Sequence, residues 1–441
     1  MDSIATRVLV LSDTHGEALQ RPVTTSADVA IHCGDITEES KLDEFRAAIS
    51  MLKAIDAPVK LVIAGNHDFT LDDKAFSNTR QEISSTIDGP ALKRAYGNLG
   101  EARALFDTEE VRAAGIMFLD EGIHRITLAN GALMTVYASP CTPSKSSGWG
   151  YQYDPSQGEH TWAMDSTVDL AMTHSPPRGL FDLTEPKTRA GSPGLFAAIA
   201  RAKQKAHCFG AIHESWGAKL VQWRPELLDE PSHFTDIDNG RSKLIESRAT
   251  LNDGKFDDED TLKARSAKRA ALEAQRYCKI CAPIVDKEQT LFINAAIEGV
   301  EEGTQHLPWL LEILLPKHQH ASQVLSKAET TAALIEEQQA SAVDSAHSDS
   351  KLHTTSKQPN KKRKADALNN EEEVYLTAEE ISPKRQRPSK LVRRRAHGGR
   401  LAERANLKAR CADIEDIGKA RRRPTAGVVK FQRYPALRLK R

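Results

Sequence analysis

Residues 7–15 read RVLVLSDTH, residues 28–35 read DVAIHCGD, and residues 59–68 read VKLVIAGNHD. Each stretch is a short β-branched, apolar run that ends in polar residues. Residues 38–54, between the second and third runs, have an amphipathic pattern that predicts a helix. Strands that are apolar throughout and linked by a helix are typical of a parallel sheet buried on both faces. These stretches therefore predict an α/β fold.

The pattern changes after residue 116, where short apolar runs follow one another closely. IMFLDEG, HRITL and LMTVYASP are predicted strands, and Asn130-Gly131 is a strong hairpin signal. VDLAMTH, AHCFG and AKLVQW continue the series, with a predicted helix near residues 195–203. The runs TLFINAAIEG and PWLLEILLP predict a closing hairpin. We therefore expect two stacked mixed sheets flanked by helices.

Composition divides the 441 residues into three parts. Residues 1–223 and 288–317 carry the strand and helix patterns and form the predicted domain. Residues 224–287 are charged and poor in apolar side chains, so we interpret them as an insertion. Aromatic residues make up only 5% of the chain, and residues 318–441 consist largely of small, polar and charged types. This composition predicts a disordered C-terminal tail.

The tail becomes strongly basic from about residue 384. Residues 384–441 contain 20 lysines and arginines against four acidic residues, whereas the rest of the chain has 41 against 57. The clusters KKRK (361–364), KRQR (384–387) and RRR (393–395) are typical of nuclear import signals or of phosphate contacts to nucleic acid. A solvated charged tail is the alternative interpretation.

Three features predict an intracellular protein, nuclear or cytoplasmic, with no membrane partner. The six cysteines are sparse, which fits reduced thiols. No apolar run approaches the ~18 residues needed to cross a bilayer. The N-terminal apolar run is too short for a signal peptide and fits a first strand. The oligomeric state does not follow from the sequence.

Polar side chains with metal-binding chemistry follow five of the predicted strands. They are Asp13 and His15, Asp35, the trio Asn66, His67 and Asp68, His174, and His213. Loops at the carboxyl ends of strands meet at one edge of a sheet. Mixed oxygen and imidazole ligands suit Mn, Fe, Co or Zn better than Ca or Mg. A shared carboxylate can hold two such ions about 3.5–4 Å apart, so the pattern predicts a dinuclear site.

This set of motifs resembles the calcineurin-like metallophosphoesterases, and in particular the branch called metallophosphoesterase-domain-containing proteins. The resemblance rests on SDTHG, GDIT, AGNHD, THSPPRG, FGAIHE and FINAA, and covers residues 7–316 apart from the insertion. It implies a four-layer α/β/β/α sandwich. It also implies that Asp13, His15, Asp35 and His213 hold the first divalent metal, and that Asp35, Asn66 and His174 hold the second.

The resemblance further implies a hydrolase in which a hydroxide bridging the two metals attacks phosphorus. His67 would serve as the general acid or steady the phosphoryl group, and Asp68 would orient His67. The substrates expected are phosphodiesters, cyclic nucleotides among them, or phosphomonoesters. The sequence does not decide between these classes.

One position departs from the family pattern. The last family motif has two histidines, and Ala211 stands where the first would bind the second metal. We therefore expect the second metal to bind weakly and turnover to be reduced. The alternative is a degenerate module that binds a nucleotide or phosphate with little turnover. A further hypothesis makes the basic tail the main functional part, with the domain tethered to nucleic acid.

The long loop at residues 140–158 and the Cys278–Cys281 pair are less decisive. The aromatic residues Trp149, Tyr151, Tyr153 and Trp162 in or beside the loop either bind substrate or anchor the loop. The two cysteines have no second pair nearby for a four-thiolate zinc site, so a chance pair is the preferred interpretation. His160 is expected to be an ordinary histidine.

Overall fold

The computed structural model describes residues 3–83, 89–145, 148–281 and 288–318. The strands within these residues are β1 (Ser3–Leu11), β2 (Val29–His32), β3 (Val59–Val62), β4 (Ile116–Phe118), β5 (Gly122–Thr127), β6 (Leu133–Ser139), β7 (Thr142–Pro143), β8 (Gln152–Tyr153), β9 (Leu170–Thr173), β10 (Ala206–Phe209), β11 (Gly217–Gln222), β12 (Lys243–Ser247), β13 (Cys278–Lys279), β14 (Gln289–Asn294) and β15 (Trp309–Pro316). The helices are α1 (Leu42–Lys53), α2 (Asp73–Ile83), α3 (Gly89–Tyr96), α4 (Glu101–Phe106), α5 (Glu109–Ala113), α6 (Pro193–Ala202), α7 (Arg248–Leu251) and α8 (Glu259–Gln275).

The first sheet contains six strands in the order β13-β15-β1-β2-β3-β4. Strands β1 to β4 run parallel, and β15 lies antiparallel to β1 over its whole length. All four residues of β2 are buried. The prediction of a parallel sheet from the three apolar runs is confirmed.

The second sheet contains seven strands in the order β12-β11-β14-β10-β9-β6-β5. Strands β6, β9, β10 and β14 run parallel, while β11 and β12 are antiparallel additions. β5 and β6 form an antiparallel hairpin around Asn130-Gly131, as predicted. The mixed character of both sheets therefore agrees with the sequence.

Three separate hydrophobic cores define four layers. One core lies between the two sheets and includes Val8 and Val10 of β1. Leu9 and Leu11, which point to the other face of the same strand, pack with α1 in a second core. The third core joins the outer face of the second sheet to α6. The predicted α/β/β/α sandwich is confirmed.

The predicted closing hairpin is wrong. β14 lies in the second sheet between β10 and β11, whereas β15 pairs with β1 in the first sheet. Both runs are apolar and adjacent in the chain, so they resemble a hairpin, but the residues between them cross from one sheet to the other. Local sequence carries no signal for that crossing.

The segment predicted as a charged insertion contributes a strand to each sheet. β12 pairs with β11 at an edge of the second sheet, and β13 pairs with β15 at an edge of the first. Helix α8 is exposed except for a partly buried stripe that includes Leu272, which packs against the core between the sheets. Of the predicted C-terminal tail, residues 318–441, all but His318 lie outside the described residues. None of the described helices combines the length and apolar character needed to cross a bilayer.

Candidate metal centre

The five motif-bearing strand ends converge at one edge of the sandwich. The loops after β1, β2 and β3 of the first sheet meet the loops after β9 and β10 of the second. His174 Nδ1 lies 2.9 Å from the Cys33 carbonyl oxygen, and the Glu298 amide donates to the Asp13 carbonyl at 3.0 Å. These two contacts link the sheets at the edge where the predicted ligands lie.

Asp13, His15 and His213 form the first group of potential ligands. One ligand atom from each lies within 4.8 Å of the others. The Asp13 carboxylate is fully buried and lies 3.5 Å from His213 Nε2. The imidazoles of His15 and His213 meet edge to face, with centroids 5.4 Å apart. The structure therefore brings together three of the four predicted ligands of the first metal.

Asp13, Asp35 and His174 form a second, adjoining group within the same 4.8 Å limit. His174 Nε2 lies 3.2 Å from Asp35 Oδ2 and 3.0 Å from Asn66 Oδ1. The three predicted ligands of the second metal thus lie together. Asp13 belongs to both groups, and Asp35, the predicted bridge, belongs to the second.

The backbone at these positions has an unusual conformation. Asp13, His15, Asp35 and Ala211 all have positive φ, at 53°, 49°, 50° and 64°. L-residues rarely adopt this region, and such positions cluster at functional sites because the surrounding structure must hold them there. Three of these four residues, Asp13, His15 and Asp35, belong to the two groups of potential ligands.

Two glycines give the carboxylates room. A Cβ at Gly65 would overlap the Asp35 carboxylate and amide, and a Cβ at Gly210 would overlap the carboxylate of Asp13. Any other residue at either position would displace an acidic side chain. Glycine is therefore required here by the close approach of each acid to the neighbouring loop.

The donor atoms at the second group fit a divalent cation. Because the Cys33 carbonyl can only accept, His174 Nδ1 carries the proton, and its Nε2 presents a lone pair in the neutral ring. That lone pair faces oxygens of Asp35 and Asn66. Three lone-pair atoms aimed at each other need either a proton or a cation between them. A histidine fixed through its other nitrogen is the usual arrangement at a metal ligand.

The charges of the site are strongly coupled. Burial opposes ionisation of Asp35, yet the neighbouring His174 and His67 hold the pKa of Asp35 far below its usual range. Burial likewise disfavours a charged His174, but Asp35 raises the pKa of His174 to about 9. For Asp13, burial would raise the pKa of the carboxyl, but His213 and His174 together lower it below its usual value. The carboxylates are thus held ionised, as metal ligands must be.

His67 lies beside the second group, but Asp68 does not contact its ring. His67 Nδ1 is 2.7 Å from the Glu38 carbonyl oxygen, and the His67 amide donates to Asp35 Oδ1 at 2.8 Å. The Asp68 carboxylate accepts bonds from the amides of Gly65, Ile36 and Thr37 instead. Asp68 therefore joins the loops after β2 and β3, and the Glu38 carbonyl holds the His67 ring.

Two acids that the sequence reasoning missed flank His15. Glu38 Oε2 lies 2.9 Å from His15 Nδ1, and Glu298 Oε2 lies 3.0 Å from His15 Nε2. Glu298 also approaches His213 Nδ1 at 3.5 Å. Burial would lower the pKa of His15, but these two carboxylates raise it well above its ordinary value. Glu298 follows β14, so the strand-end rule could have identified it.

Ala211 lies beside the carboxylate of Asp13, but its side chain offers no atom that could bind a metal. Its amide donates to both oxygens of Asp13, at 3.0 and 3.1 Å. The residue thus contributes its backbone to the site, while its methyl side chain cannot bind a cation.

Some aromatic residues anchor the long loop, and one of them lies beside the site. Trp162 is buried, and the Tyr151 hydroxyl donates to the Leu71 carbonyl at 2.8 Å, so these residues anchor the loop. The Gly150 amide donates to the Asn66 carbonyl at 2.9 Å. This places the half-buried Trp149 over the imidazole of His67. Part of the loop thus forms a wall of the site.

Part of the chain is similar to proteins of a known family. Residues 6–204 match the model of the calcineurin-like phosphoesterase family. The resemblance based on the motifs is confirmed. The matched residues include Asp13, Asp35, Asn66 and His174, whereas His213 and Glu298 lie beyond them.

Curated relatives are similar over about half of this chain. Human metallophosphoesterase domain-containing protein 1 is 29% identical over 219 residues, covering 48% of this chain and 62% of that protein. UPF0046 protein T07D4.2 of Caenorhabditis elegans is 28% identical over 218 residues, covering 48% and 52%. A probable rhamnogalacturonate lyase C of Emericella nidulans is 28% identical over 218 residues, covering 49% and 18%. The chain therefore spans less than two thirds of the length of these relatives.

Among solved structures, the purple acid phosphatase PPD1 from yellow lupin seeds is similar, with a TM-score of 0.31 and 10% identity. The match covers 71% of this chain and 54% of that one.

Proposed function

We propose that the domain is a metal-dependent phosphoester hydrolase. The observation that carries this proposal is the pair of adjoining ligand groups, Asp13–His15–His213 and Asp13–Asp35–His174, each with its donor atoms within 4.8 Å. A dinuclear centre needs two adjoining groups with a carboxylate between them: Asp13 belongs to both groups, and Asp35, the proposed bridge, lies in the second. Membership of residues 6–204 in the calcineurin-like phosphoesterase family supports the same reaction class.

Each cation would have its own set of protein ligands. Asp13, His15, Asp35 and His213 would hold the first, and Asp35, Asn66 and His174 the second. The mixture of imidazole and oxygen donors favours Mn, Fe or Zn. When bound, the two ions would supply an acidified water able to attack phosphorus and positive charge to stabilise the phosphoryl oxygens.

His67 would act on the leaving group. Its Nδ1 proton is donated to the Glu38 carbonyl, which fixes the ring and leaves Nε2 to deliver a proton. Its amide holds Asp35 Oδ1, so the proton donor and the metal-binding carboxylate are positioned by the same short segment. Trp149 covers one face of the ring and limits the access of water there.

The substrates proposed are phosphodiesters, cyclic nucleotides among them, with phosphomonoesters as the second class. A neutral or weakly acidic leaving group needs the proton that His67 supplies, and this need is common to both classes. The site therefore supports hydrolysis of phosphate esters in general, and does not favour one of the two substrate classes.

Ala211 favours a weak second metal and reduced turnover. The second group has two carboxylates, one amide oxygen and one imidazole near it, and lacks the histidine that the family pattern places at residue 211. The second candidate function follows from the same residue: a module that binds a nucleotide or phosphate without useful turnover. Retention of Asp35 and His67 favours the hydrolase.

The test measures hydrolysis of an activated aryl phosphodiester and the matching monoester by the full chain with Mn²⁺. Asp35→Asn should abolish turnover and weaken Mn²⁺ binding. Asp229→Asn, a change at an exposed aspartate, serves as the control and should match the wild type. Equal inertness of the wild type and Asp35→Asn, with a nucleotide still bound, would select the binding module.

For the basic tail we propose nuclear import, with contacts to nucleic acid as the alternative. The proposal is supported by the segregation of positive charge beyond residue 384. Deletion of residues 350–441 should move the protein to the cytoplasm. Loss of salt-dependent DNA binding without any change of location would favour the alternative.

A further inference from the structure

A second cluster of metal-binding side chains lies outside the centre described above. Glu121 immediately precedes β5, Cys141 lies two residues after β6, and His160 lies between β8 and β9. One ligand atom from each is within 4.8 Å of the other two. Three separate parts of the chain thus bring a thiol, an imidazole and a carboxylate to one point.

The separations of the donor atoms are close to those of a tetrahedral zinc site. The Cys141 sulfur lies 3.7 Å from Glu121 Oε2, and His160 Nε2 lies 2.6 Å from Glu121 Oε1. With Zn–S bonds of about 2.3 Å and Zn–N bonds of about 2.0 Å, tetrahedral neighbours stand about 3.3–3.7 Å apart. The histidine and the carboxylate would need to separate by less than about 1 Å, and the sulfur lies within 4.8 Å of the histidine nitrogen.

The neighbouring residues hold the carboxylate in place. The hydroxyls of Tyr137 and Ser139 donate to Glu121 Oε1 at 3.0 and 2.8 Å. Ser139 Oγ also accepts the Cys141 amide at 3.3 Å, which ties the thiol to the same support. Outer hydrogen bonds of this kind orient the carboxylate at metal sites. The ligands are therefore supported by the rigid end of β6.

The surroundings of His160 limit the movement of its ring. The rings of Tyr153 and Trp162 lie 5.6 and 4.7 Å from it, centroid to centroid. The side chains of His160 and Glu121 remain 22% and 35% exposed. The cluster is thus enclosed on one side and open to an entering ion on the other.

We propose that Glu121, Cys141 and His160 form a mononuclear zinc site, separate from the dinuclear centre, with water as the fourth ligand. A sulfur, a nitrogen and an oxygen donor suit zinc better than manganese or magnesium. Burial and the nearby Glu121 raise the pKa of the Cys141 thiol to about 12. A bound cation reverses this effect, since coordination deprotonates the thiol and releases its proton to solvent.

The site would fasten the loop that covers His67. Cys141 and His160 stand at the two ends of that loop, and Trp149 lies between them. The zinc would join both ends to Glu121 at the start of β5. Its role is thus to hold the wall of the dinuclear centre in place.

The test uses Co²⁺ in place of zinc, with the full chain freed of metal by chelation. A cobalt–thiolate bond gives a near-ultraviolet charge-transfer band, and the predicted ligands of the dinuclear centre contain no sulfur. With Co²⁺ in excess over all the proposed sites, the wild type should show this band at the intensity of one thiolate-bound Co²⁺ per chain. Cys141→Ser should remove it, and His160→Gln should weaken Co²⁺ binding at this site by about tenfold or more.

Two controls separate this proposal from others. Cys281→Ser removes an exposed thiol and should leave the band intact. Asp35→Asn should also leave it intact, so failure of the proposed hydrolase does not decide this result. Absence of the band in the wild type, or its survival in Cys141→Ser, would overturn the zinc site and leave a hydrogen-bonded Glu121–His160 pair.

Discussion

Trp149 lies over the imidazole of His67, with the two ring centroids 4.2 Å apart and the ring planes inclined by 32°. The indole is brought there by the Gly150 amide, which donates to the carbonyl of Asn66. A residue of the aromatic loop is thereby fixed directly above the proposed proton donor.

Replacing Trp149 should therefore impair the proposed reaction more than the fold. An aromatic contact contributes about 0.5–1.5 kcal/mol, so Trp149→Ala should lower kcat/KM for an aryl phosphodiester by about two- to tenfold. Trp149→Phe keeps an aromatic ring and should retain most of the activity. Steady-state kinetics at saturating Mn²⁺ measure both. Identical kinetics for Ala, Phe and wild type would show that the indole has no part in the reaction.

Gly65→Ala should weaken metal binding. A Cβ at this position overlaps the carboxylate of Asp35, so that side chain must move. We expect Mn²⁺ affinity to fall by about 10- to 100-fold, as it does when a ligand loses its support. Titration calorimetry measures the affinity. Gly148→Ala is the matched control, because a Cβ there meets no atom within 4 Å. Unchanged affinity in Gly65→Ala would argue against Asp35 as a ligand.

Ala211→His should strengthen the second metal site. Histidine tolerates a positive φ better than most residues, so the φ of 64° at this position is compatible with the change. The loss of an outer contact costs about 10- to 100-fold in affinity, and a restored direct ligand should gain at least about tenfold. Metal analysis and turnover should rise together. Ala211→Leu provides a larger side chain without a donor atom, and an equal gain there would exclude ligation as the cause.

His207 should make the folded state sensitive to acid. Burial alone lowers the pKa of this side chain to about 3, whereas the unfolded chain should titrate near about 6.5. Because the pKa of His207 is depressed in the folded state, its contribution to stability is fully present above about pH 6.5. Below about pH 6.5 the unfolded chain takes up a proton that the folded chain does not, and this contribution is lost. The unfolding free energy should fall by about 2 kcal/mol between about pH 7.5 and pH 5 from this residue alone.

His207→Leu removes that titration. The slope of the unfolding free energy against pH should then fall by the equivalent of about one bound proton. The Thr173 hydroxyl still donates to the Ser175 carbonyl at 2.6 Å, so the variant leaves no unpaired donor there. His124→Gln, a change at a half-buried histidine, is the control. Denaturant unfolding at several pH values gives both slopes, and equal slopes for wild type and His207→Leu would refute the assignment.

The parts of the fold that could be predicted are those with strong local signals. Buried parallel strands appear as unbroken apolar runs, and residues after them must gather at one edge. These two facts identified Asp13, Asp35 and His174 before any geometry was known. The Asn130-Gly131 hairpin was equally accessible, because its turn requires particular residues.

The features that were missed depend on contacts remote in sequence. β13 has only two residues, Cys278 and Lys279, which is too short for any periodicity. Glu298 follows a strand, as the other site residues do, but its contact with His15 joins positions remote in sequence. Asp68 belongs to the motif after β3, but the amides that donate to its carboxylate are those of Ile36 and Thr37, which follow β2.

The placement of β12 and β13 has a consequence for shortened versions of the protein. One continuous charged segment forms a hydrogen-bonded border on β11 of the second sheet and on β15 of the first. Deleting it would leave the backbone amide and carbonyl groups at the edges of two strands unpaired. Unpaired edge strands readily pair with strands of other chains. A trimmed protein would therefore tend to aggregate even with every ligand of the metal centre intact.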